Sequence, residues 1–256
     1  MKEIDYSKCI GCLKCTGVCP TNYIEASEAD ERQTPKIKDR GRCLNCRHCE
    51  AICPVGAVTD SAIEKTDSAD DELLNLFNRK RTHRKYIKGS EITKEQMELL
   101  NMSAQSAPTD RNRKTVRLIY VKELLPEAYN SALDFLVERV QKAGQIDPLY
   151  VPTMSLDSKR DEILWDAEYL VLGVGSKQYQ ADAVIMAERI QLMAERLGLG
   201  TGYRGDMKEA INSVDELRKL LSIKSNEEVL ISFALGVPED VYVRPGNKEL
   251  HKIIFM

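Results

Sequence analysis

The stretch Cys9-Ile-Gly-Cys12-Leu-Lys-Cys15-Thr-Gly-Val-Cys19-Pro20 has the cysteine spacing C-x2-C-x2-C-x3-C-P. The same spacing returns 34 residues later in Cys43-Leu-Asn-Cys46-Arg-His-Cys49-Glu-Ala-Ile-Cys53-Pro54. Three thiolates at this spacing can wrap one face of an iron–sulfur cubane through a tight turn, and the fourth ligand must then come from elsewhere in the chain. The repeated spacing therefore predicts iron–sulfur chemistry at two sites.

The double run resembles that of the two-cluster bacterial ferredoxins, in which the fourth cysteine of each run binds the other cluster. The resemblance implies two four-iron, four-sulfur clusters. One would be held by Cys9, Cys12, Cys15 and Cys53, and the other by Cys43, Cys46, Cys49 and Cys19. Structural zinc sites, which usually use separated C-x2-C pairs, and disulfides are the alternative interpretations. His48 is interpreted as a spectator rather than a ligand.

The cysteines divide the chain into two parts. All eight lie between Cys9 and Cys53, and the remaining 203 residues contain none. A chain of 256 residues is long enough for a small and a medium domain, each with its own core. We predict a ferredoxin-like domain over 1–62 and a second domain over 70–256, joined by a polar, acidic connector.

Charge and hydropathy restrict the partners and the location of the protein. The net charge of -3 and the pI near 5.8 give no general attraction to nucleic acid or to anionic lipid. The sequence contains no secretion signal and no apolar stretch of membrane-spanning length. We therefore expect a soluble, cytoplasmic protein that binds neither nucleic acid nor membrane, in a compartment that disfavours disulfides.

The second part of the chain mixes helices with a few strands. Hydrophobic spacing and capping signals predict helices ending near Lys80, beginning at Thr93, and over 127–143, 182–197, 208–212 and 215–223. Gly144 is expected to end the third of these, and Ser213 with Glu216 to cap the last. Strands are predicted over 115–121, 169–174 and 229–234. Because strands and helices do not alternate strictly, we predict an α+β architecture.

A basic run follows the first of these helices. In Arg79-Lys80-Arg81-Thr82-His83-Arg84-Lys85-Tyr86, several cations and a hydroxyl lie where they can bind a phosphate monoester. A solvated basic face is the alternative interpretation. A separate pattern, Gly200-Thr-Gly202-Tyr-Arg-Gly205, has the form G-x-G-x-x-G. It follows a predicted helix rather than a strand, so we do not interpret it as a dinucleotide-binding fingerprint.

Four motifs in order resemble the FMN-dependent nitroreductase family. The segment 80–86 resembles R-R-S-x-R-x-F, and 107–114 resembles A-P-S-x-x-N-x-Q with Lys114 in place of the glutamine. The segment 197–203 is similar to the glycine loop of the family. The carboxyl-terminal segment 235–238, followed by Arg244, resembles its G-x-P turn and late phosphate-binding arginine.

The resemblance implies a mainly antiparallel central sheet surrounded by helices, and a homodimer with FMN at the subunit interface. It implies FMN contacts from Lys80, Arg81, Thr82, Arg84, Pro108, Thr109, Asn112, Lys114, Leu199, Gly200, Thr201, Gly202 and Arg244. A lysine that the family often has two residues before the late arginine is replaced by Tyr242. Candidates for an acceptor pocket, with ordinary packing as the alternative, are Tyr203, Tyr150, Trp165 and Met154.

The combined pattern predicts an iron–sulfur flavoprotein oxidoreductase. Iron–sulfur centres carry one electron and a flavin holds one or two, so joining them converts single electrons into hydride equivalents. The expected acceptor is a small molecule such as a nitroaromatic or a quinone, and the expected donor is a ferredoxin or another low-potential carrier. We nominate no catalytic residue. An electron-transfer or redox-sensing flavoprotein without a small-molecule substrate is the alternative hypothesis.

Overall fold

The computed structural model describes residues 2–27, 34–38, 43–60, 71–146, 163–245 and 252–256. The chain forms two compact units, Met1–Lys80 with Val241–Met256, and Arg81–Asp240. The predicted second domain, 70–256, is therefore longer than the second unit at both ends. The predicted connector lies almost entirely outside the described residues.

The first unit is built from short strands and helices around the cysteines. Its strands are β1 (Lys2–Ile4), β2 (Ile24–Ala26), β3 (Pro35–Ile37) and β4 (Val58–Asp60), and its helices are α1 (Lys14–Gly17), α2 (His48–Ile52) and α3 (Glu72–Arg79). Strand β1 pairs antiparallel with β4, and β2 pairs antiparallel with β3. The two hairpin-like ribbons bury a small apolar core into which Tyr23, Ile24 and Val58 pack.

The backbone of the first unit repeats together with its sequence. Three pairs of residues separated by 34 positions share the left-handed region of φ, which turns the chain sharply. These pairs are Gly11 and Asn45 (68° and 55°), Leu13 and Arg47 (56° and 60°), and Asn22 and Gly56 (51° and 64°). The two cysteine runs therefore fold through the same turns.

The second unit has a four-stranded sheet with helices on both faces. Its strands are β5 (Arg117–Val121), β6 (Tyr169–Gly175), β7 (Gly200–Tyr203) and β8 (Glu228–Gly236). Its helices are α4 (Lys94–Gln105), α5 (Leu125–Ile146), α6 (Gln180–Arg196), α7 (Gly205–Ser213) and α8 (Asp215–Leu220). The strand order is β5-β6-β8-β7 with every pairing antiparallel, which confirms the predicted α+β class.

Strand β6 contributes to a core on each face of the sheet. Successive side chains of a strand point to opposite faces. Leu170 and Leu172 pack with residues of α5, α7 and α8, whereas Val171 packs with residues of α4 and α6. This two-sided burial explains why the sequence of β6, Tyr-Leu-Val-Leu-Gly-Val-Gly, contains no alternating polar residues.

Most predicted elements are confirmed, with three corrections. Helix α5 extends to Ile146, so Gly144 lies inside it and does not end it. Helix α8 begins after Val214 without a side-chain cap, so the predicted Ser213 capping box is wrong. Strand β7 was not predicted, because two of its four residues are glycines, which are depleted in strands. The predicted Thr93 capping box at α4 is present.

Candidate functional site

The cysteine thiols of the first unit surround two cavities. Cys9, Cys12, Cys15 and Cys53 line the first cavity. Cys19, Cys43, Cys46 and Cys49 line the second. Each cavity combines three thiols of one run with the fourth thiol of the other, the grouping that the resemblance implies. All eight cysteines are free thiols, so none of them forms a disulfide.

The surroundings of these thiols suit a multi-atom cluster. The backbone N–H groups of Tyr23 and Ala57 donate hydrogen bonds of 3.2 Å to the Sγ atoms of Cys19 and Cys53, in equivalent positions of the repeat. Such bonds stabilise the negative charge of a thiolate and shift the reduction potential of an iron–sulfur cluster. Among the residues that the structure describes, no three His, Cys, Asp or Glu side chains could hold one metal ion. A single zinc ion needs all of its thiolate ligands at about 2.3 Å. The described side chains do not have this arrangement.

Burial, together with the neighbouring Cys53 and Cys12, raises the pKa of the Cys15 thiol to about 12. Burial likewise raises the pKa of Cys49 to about 12. Thiolates, which are the metal-binding form, are therefore costly at these positions without compensating positive charge. Bound iron supplies that charge, so the donor set fits the clusters. His48 also lines the second cavity, and its ring lies 5.4 Å from that of Tyr242.

In the second unit, the basic run lies against strand β7. Thr82 forms a parallel bridge with Thr201, and the backbone N–H of His83 donates to the Thr201 carbonyl at 2.9 Å. The Arg81 side chain is buried, and that of Arg84 is partly exposed. The structure thus places the segment that carries Arg81, Thr82 and Arg84 beside the glycine strand.

Glycines permit this close approach of two backbones. A Cβ atom at Gly202 would lie 2.9 Å from the His83 carbonyl oxygen and 3.0 Å from Thr82 Cγ2. A Cβ atom at Gly200 would lie 2.9 Å from His83 Cγ. Distances below 3.0 Å are too short for ordinary contacts, so both positions need glycine. The side chain of Leu199, in contrast, is buried in the core beside α4 and α6.

Sequence reasoning missed Arg204 in this site. Its buried guanidinium lies 4.4 Å from the centre of the Trp165 ring and donates to the carbonyl oxygen of Tyr203 at 2.9 Å. It also reaches the His83 carbonyl oxygen at 3.5 Å. Trp165 has a left-handed φ of 52°, an uncommon conformation for a bulky residue. No motif contains this pair, although Trp165 is the single tryptophan of the chain.

The other predicted FMN contacts lie in separate places. The loop with Pro108, Thr109, Asn112 and Lys114 is largely exposed and is held to the start of α6, because the Asp110 N–H donates to the Asp182 carboxylate. Lys80 is the C-cap of α3. Tyr150 and Met154 lie outside the described residues.

Arg244 is engaged within the first unit. It donates from its guanidinium to the Pro54 carbonyl oxygen at 3.2 Å, next to the turn at Gly56. The predicted contact of Arg244 with a flavin phosphate stays a prediction.

A unit with paired thiol cavities and an antiparallel α+β unit define a two-module protein of redox type. The family model described as the nitroreductase family matches residues 78–237, and the chain therefore belongs to the nitroreductase family. It is an oxidoreductase of this type. A second family model, described as a 4Fe-4S dicluster domain, matches residues 8–57.

Solved structures share the fold. A nitroreductase with bound FMN from Bacteroides fragilis is 18% identical to this chain, with a TM-score of 0.55. The match covers 73% of this chain and 99% of the B. fragilis chain. An FMN-dependent nitroreductase from Clostridium difficile is 17% identical with a TM-score of 0.58, covering 73% and 100%. A nitroreductase with bound FMN from Desulfitobacterium hafniense is 20% identical with a TM-score of 0.57, covering 73% and 100%.

No curated protein sequence matches the chain. In the described ranges, no helix combines the length and apolar character needed to cross a membrane.

The contact between β7 and the basic run predicts an unequal effect of two glycine substitutions. Gly202→Ala should cost about 1–3 kcal/mol in the free energy of unfolding, because the added methyl group meets backbone and side-chain atoms. Gly205→Ala is the matched control, since a Cβ there meets nothing within 4 Å and the residue begins α7. Thermal unfolding followed by circular dichroism measures both, at about 2–4 °C per kcal/mol. Equal midpoints for the two variants would contradict the role of Gly202.

Proposed function

We propose that the protein is an iron–sulfur flavoprotein that passes electrons from two four-iron, four-sulfur clusters to FMN and reduces a small acceptor, such as a nitroaromatic or a quinone. The observation that carries this proposal is the arrangement of eight thiols around two cavities in a member of the nitroreductase family. The clusters supply one-electron transfer, and FMN supplies the conversion from single electrons to pairs.

The residues of the first unit would hold the clusters and shield part of each cluster from solvent. Each cluster would be bound by the four cysteines of its cavity. Three of the apolar side chains beside them, Ile24, Ala57 and Val58, are nearly inaccessible to solvent. The N–H donors of Tyr23 and Ala57 face thiolate sulfur, which lowers the cost of negative charge at those positions.

In the second unit, the basic run would bind the phosphate of FMN. Guanidinium groups form charge-assisted and often bidentate hydrogen bonds with phosphate, which suits Arg81 and Arg84. Arg204 restrains this segment through the His83 carbonyl oxygen and through the Trp165 ring. Backbone groups of β7 would then lie beside the flavin ring. The bound FMN of the structures from B. fragilis and D. hafniense supports this assignment.

The exposed loop would complete the flavin site. Pro108, Thr109, Asn112 and Lys114 are assigned to it by their motif, and Lys80 is assigned to it as part of the basic run.

A homodimer is part of the proposal. The apolar side chains of Leu73, Leu74 and Phe77 on α3 are 57%, 42% and 43% exposed. An amphipathic helix with an exposed apolar face is typical of a protein–protein contact. A second copy of the chain would cover it. The proposed location is the cytoplasm, where a reducing environment keeps cysteines available for clusters. The proposed donor is a ferredoxin or another low-potential carrier.

Iron analysis tests the two-cluster assignment. Anaerobically purified protein should contain about eight iron and about eight sulfide per chain, the content of two cubanes. Cys15→Ala should remove one cluster and Cys49→Ala the other, because each thiol lines only one cavity. Each variant should therefore retain about half of the iron. Zinc in place of iron in the wild-type protein would contradict the assignment.

Ligand binding to the cluster-loaded protein tests the phosphate contact. Arg84→Gln should weaken FMN binding about 10- to 100-fold, since hydrogen bonds to charged groups contribute about 1.5–3 kcal/mol. Binding of riboflavin, which has no phosphate, should stay unchanged. Lys85→Gln is the matched control within the same run, because Lys85 pairs with Asp240 at 4.0 Å. Fluorescence quenching of the two flavins measures each affinity. If Arg84→Gln weakened the binding of FMN and riboflavin equally, the result would indicate general damage to the flavin site and contradict a phosphate contact.

Steady-state turnover tests the enzymatic part. Reduced ferredoxin supplied with a nitroaromatic or a quinone should give turnover in the wild-type protein and much less in Cys15→Ala, which lacks a cluster. An absence of turnover in wild-type protein with full cluster and FMN content would favour the electron-transfer or redox-sensing alternative.

A further inference from the structure

The two cavities of the first unit differ in charge although their backbones repeat. Besides cysteines, the first cavity is lined only by apolar residues among those described: Ile10, Leu13, Pro35, Val55, Ala57 and Val58. The second cavity is lined by two cations, Lys2 and Arg47. Leu13 and Arg47 occupy equivalent positions 34 residues apart, with nearly equal φ angles of 56° and 60°. The same turn therefore presents a hydrocarbon side chain to one cavity and a guanidinium to the other.

The two cations are buried and fixed by carboxylates. Lys2 and Arg47 are 3% and 2% exposed. Lys2 Nζ lies 3.1 Å from Asp60 Oδ2 and 3.4 Å from Glu50 Oε2. The two Arg47 terminal nitrogens lie 3.1 Å from Glu50 Oε2 and 3.3 Å from Asp60 Oδ2. Lys2 and Arg47 belong to the lining of the second cavity, whereas their partners Glu50 and Asp60 do not.

The side chain of Lys2 lines the same cavity as the thiols of Cys19, Cys43, Cys46 and Cys49. Lys36 is the counterpart of Lys2 in the repeat, but its side chain is 48% exposed and pairs with Glu25. Solvent screens such an exposed charge, whereas a buried charge acts at a low effective dielectric constant. Among the residues that the structure describes, the repeat therefore places buried cations in the lining of the second cavity and none in that of the first.

We infer that Lys2 and Arg47 give the cluster bound by Cys19, Cys43, Cys46 and Cys49 a higher reduction potential than its partner cluster. This inference rests on the proposed two-cluster function. Reduction adds one negative charge to a cluster and its thiolates, and nearby buried cations stabilise that added charge. An apolar lining gives no such stabilisation and makes added charge more costly.

The difference sets the direction of electron transfer within the unit. With both clusters bound, an electron on the cluster of the first cavity would move to the cluster of the second. The first cluster would be oxidised from the 1+ to the 2+ core state and the second reduced from 2+ to 1+, with no proton or bond exchanged.

A potentiometric titration of the anaerobic holoprotein, followed by electron paramagnetic resonance, tests this inference. The wild-type protein should show two separate one-electron steps. Lys2→Gln should lower the reduction potential of the higher step by about 59 mV, which is about a tenfold change in the equilibrium constant of a one-electron reduction. Leu13→Arg places a guanidinium at the first cavity and should raise the lower step. Lys36→Gln, at the exposed equivalent of Lys2, should shift neither step.

A second variant is needed because loss of one buried charge can cause misfolding. Arg47→Leu combined with Asp60→Asn removes one cation and one carboxylate together, and it should also lower the higher step. Unchanged potentials in Lys2→Gln, Leu13→Arg and the double variant, with both clusters present, would overturn the inference and leave the proposed function intact. Fewer than two clusters in the wild-type protein would overturn both.

Discussion

The first unit depends on one constraint: each cavity must take its fourth thiol from the other cysteine run. Cys53 lines the cavity of the first run and Cys19 that of the second, so neither run completes a site by itself. The two runs must therefore fold together. The paired ribbons β1–β4 and β2–β3 and the shared apolar core are the means by which the chain satisfies this requirement.

The second unit solves a different problem, the close approach of a basic segment to the edge of a sheet. Strand β8 lies in the interior of the sheet, and β7 forms its edge beyond it. Because β7 carries glycine at two positions, the segment at Thr82 and His83 packs directly on its backbone. The buried charge of Arg204 then stacks on Trp165 and bonds to carbonyl oxygens of both segments. A rigid cationic edge results.

Much of this architecture could be predicted from the sequence because it rests on local patterns. Cysteine spacing, together with the ferredoxin resemblance, was sufficient to name the two groups of thiols that the structure brings together. The capping box at Thr93 located α4, helical periodicity located α6, and runs of β-branched or aromatic residues located β5, β6 and β8. The elements that the sequence predicted wrongly have physical reasons. Strand β7 lacks strand propensity and exists because β8 pairs with it, and α5 continues through Gly144.

The role of Arg204 was invisible for a similar reason, since Trp165 and His83 are separated from it by 39 and 121 residues in the chain. Arg244 shows the converse, a residue assigned by its motif whose hydrogen bond is to Pro54.

The contacts of Val243 and Arg244 have a consequence for synthesis of the protein. The Val243 N–H donates to the Ala51 carbonyl oxygen at 3.0 Å, beside the last cysteine of the second run. A domain that begins to fold on the ribosome usually does so once its own residues have emerged. Here the cysteine-bearing unit gains its final contacts only after nearly two hundred further residues have been translated. Both cysteine runs are thus made long before these two contacts can form, and any cluster that assembles earlier does so on a unit that still lacks its carboxyl-terminal segment.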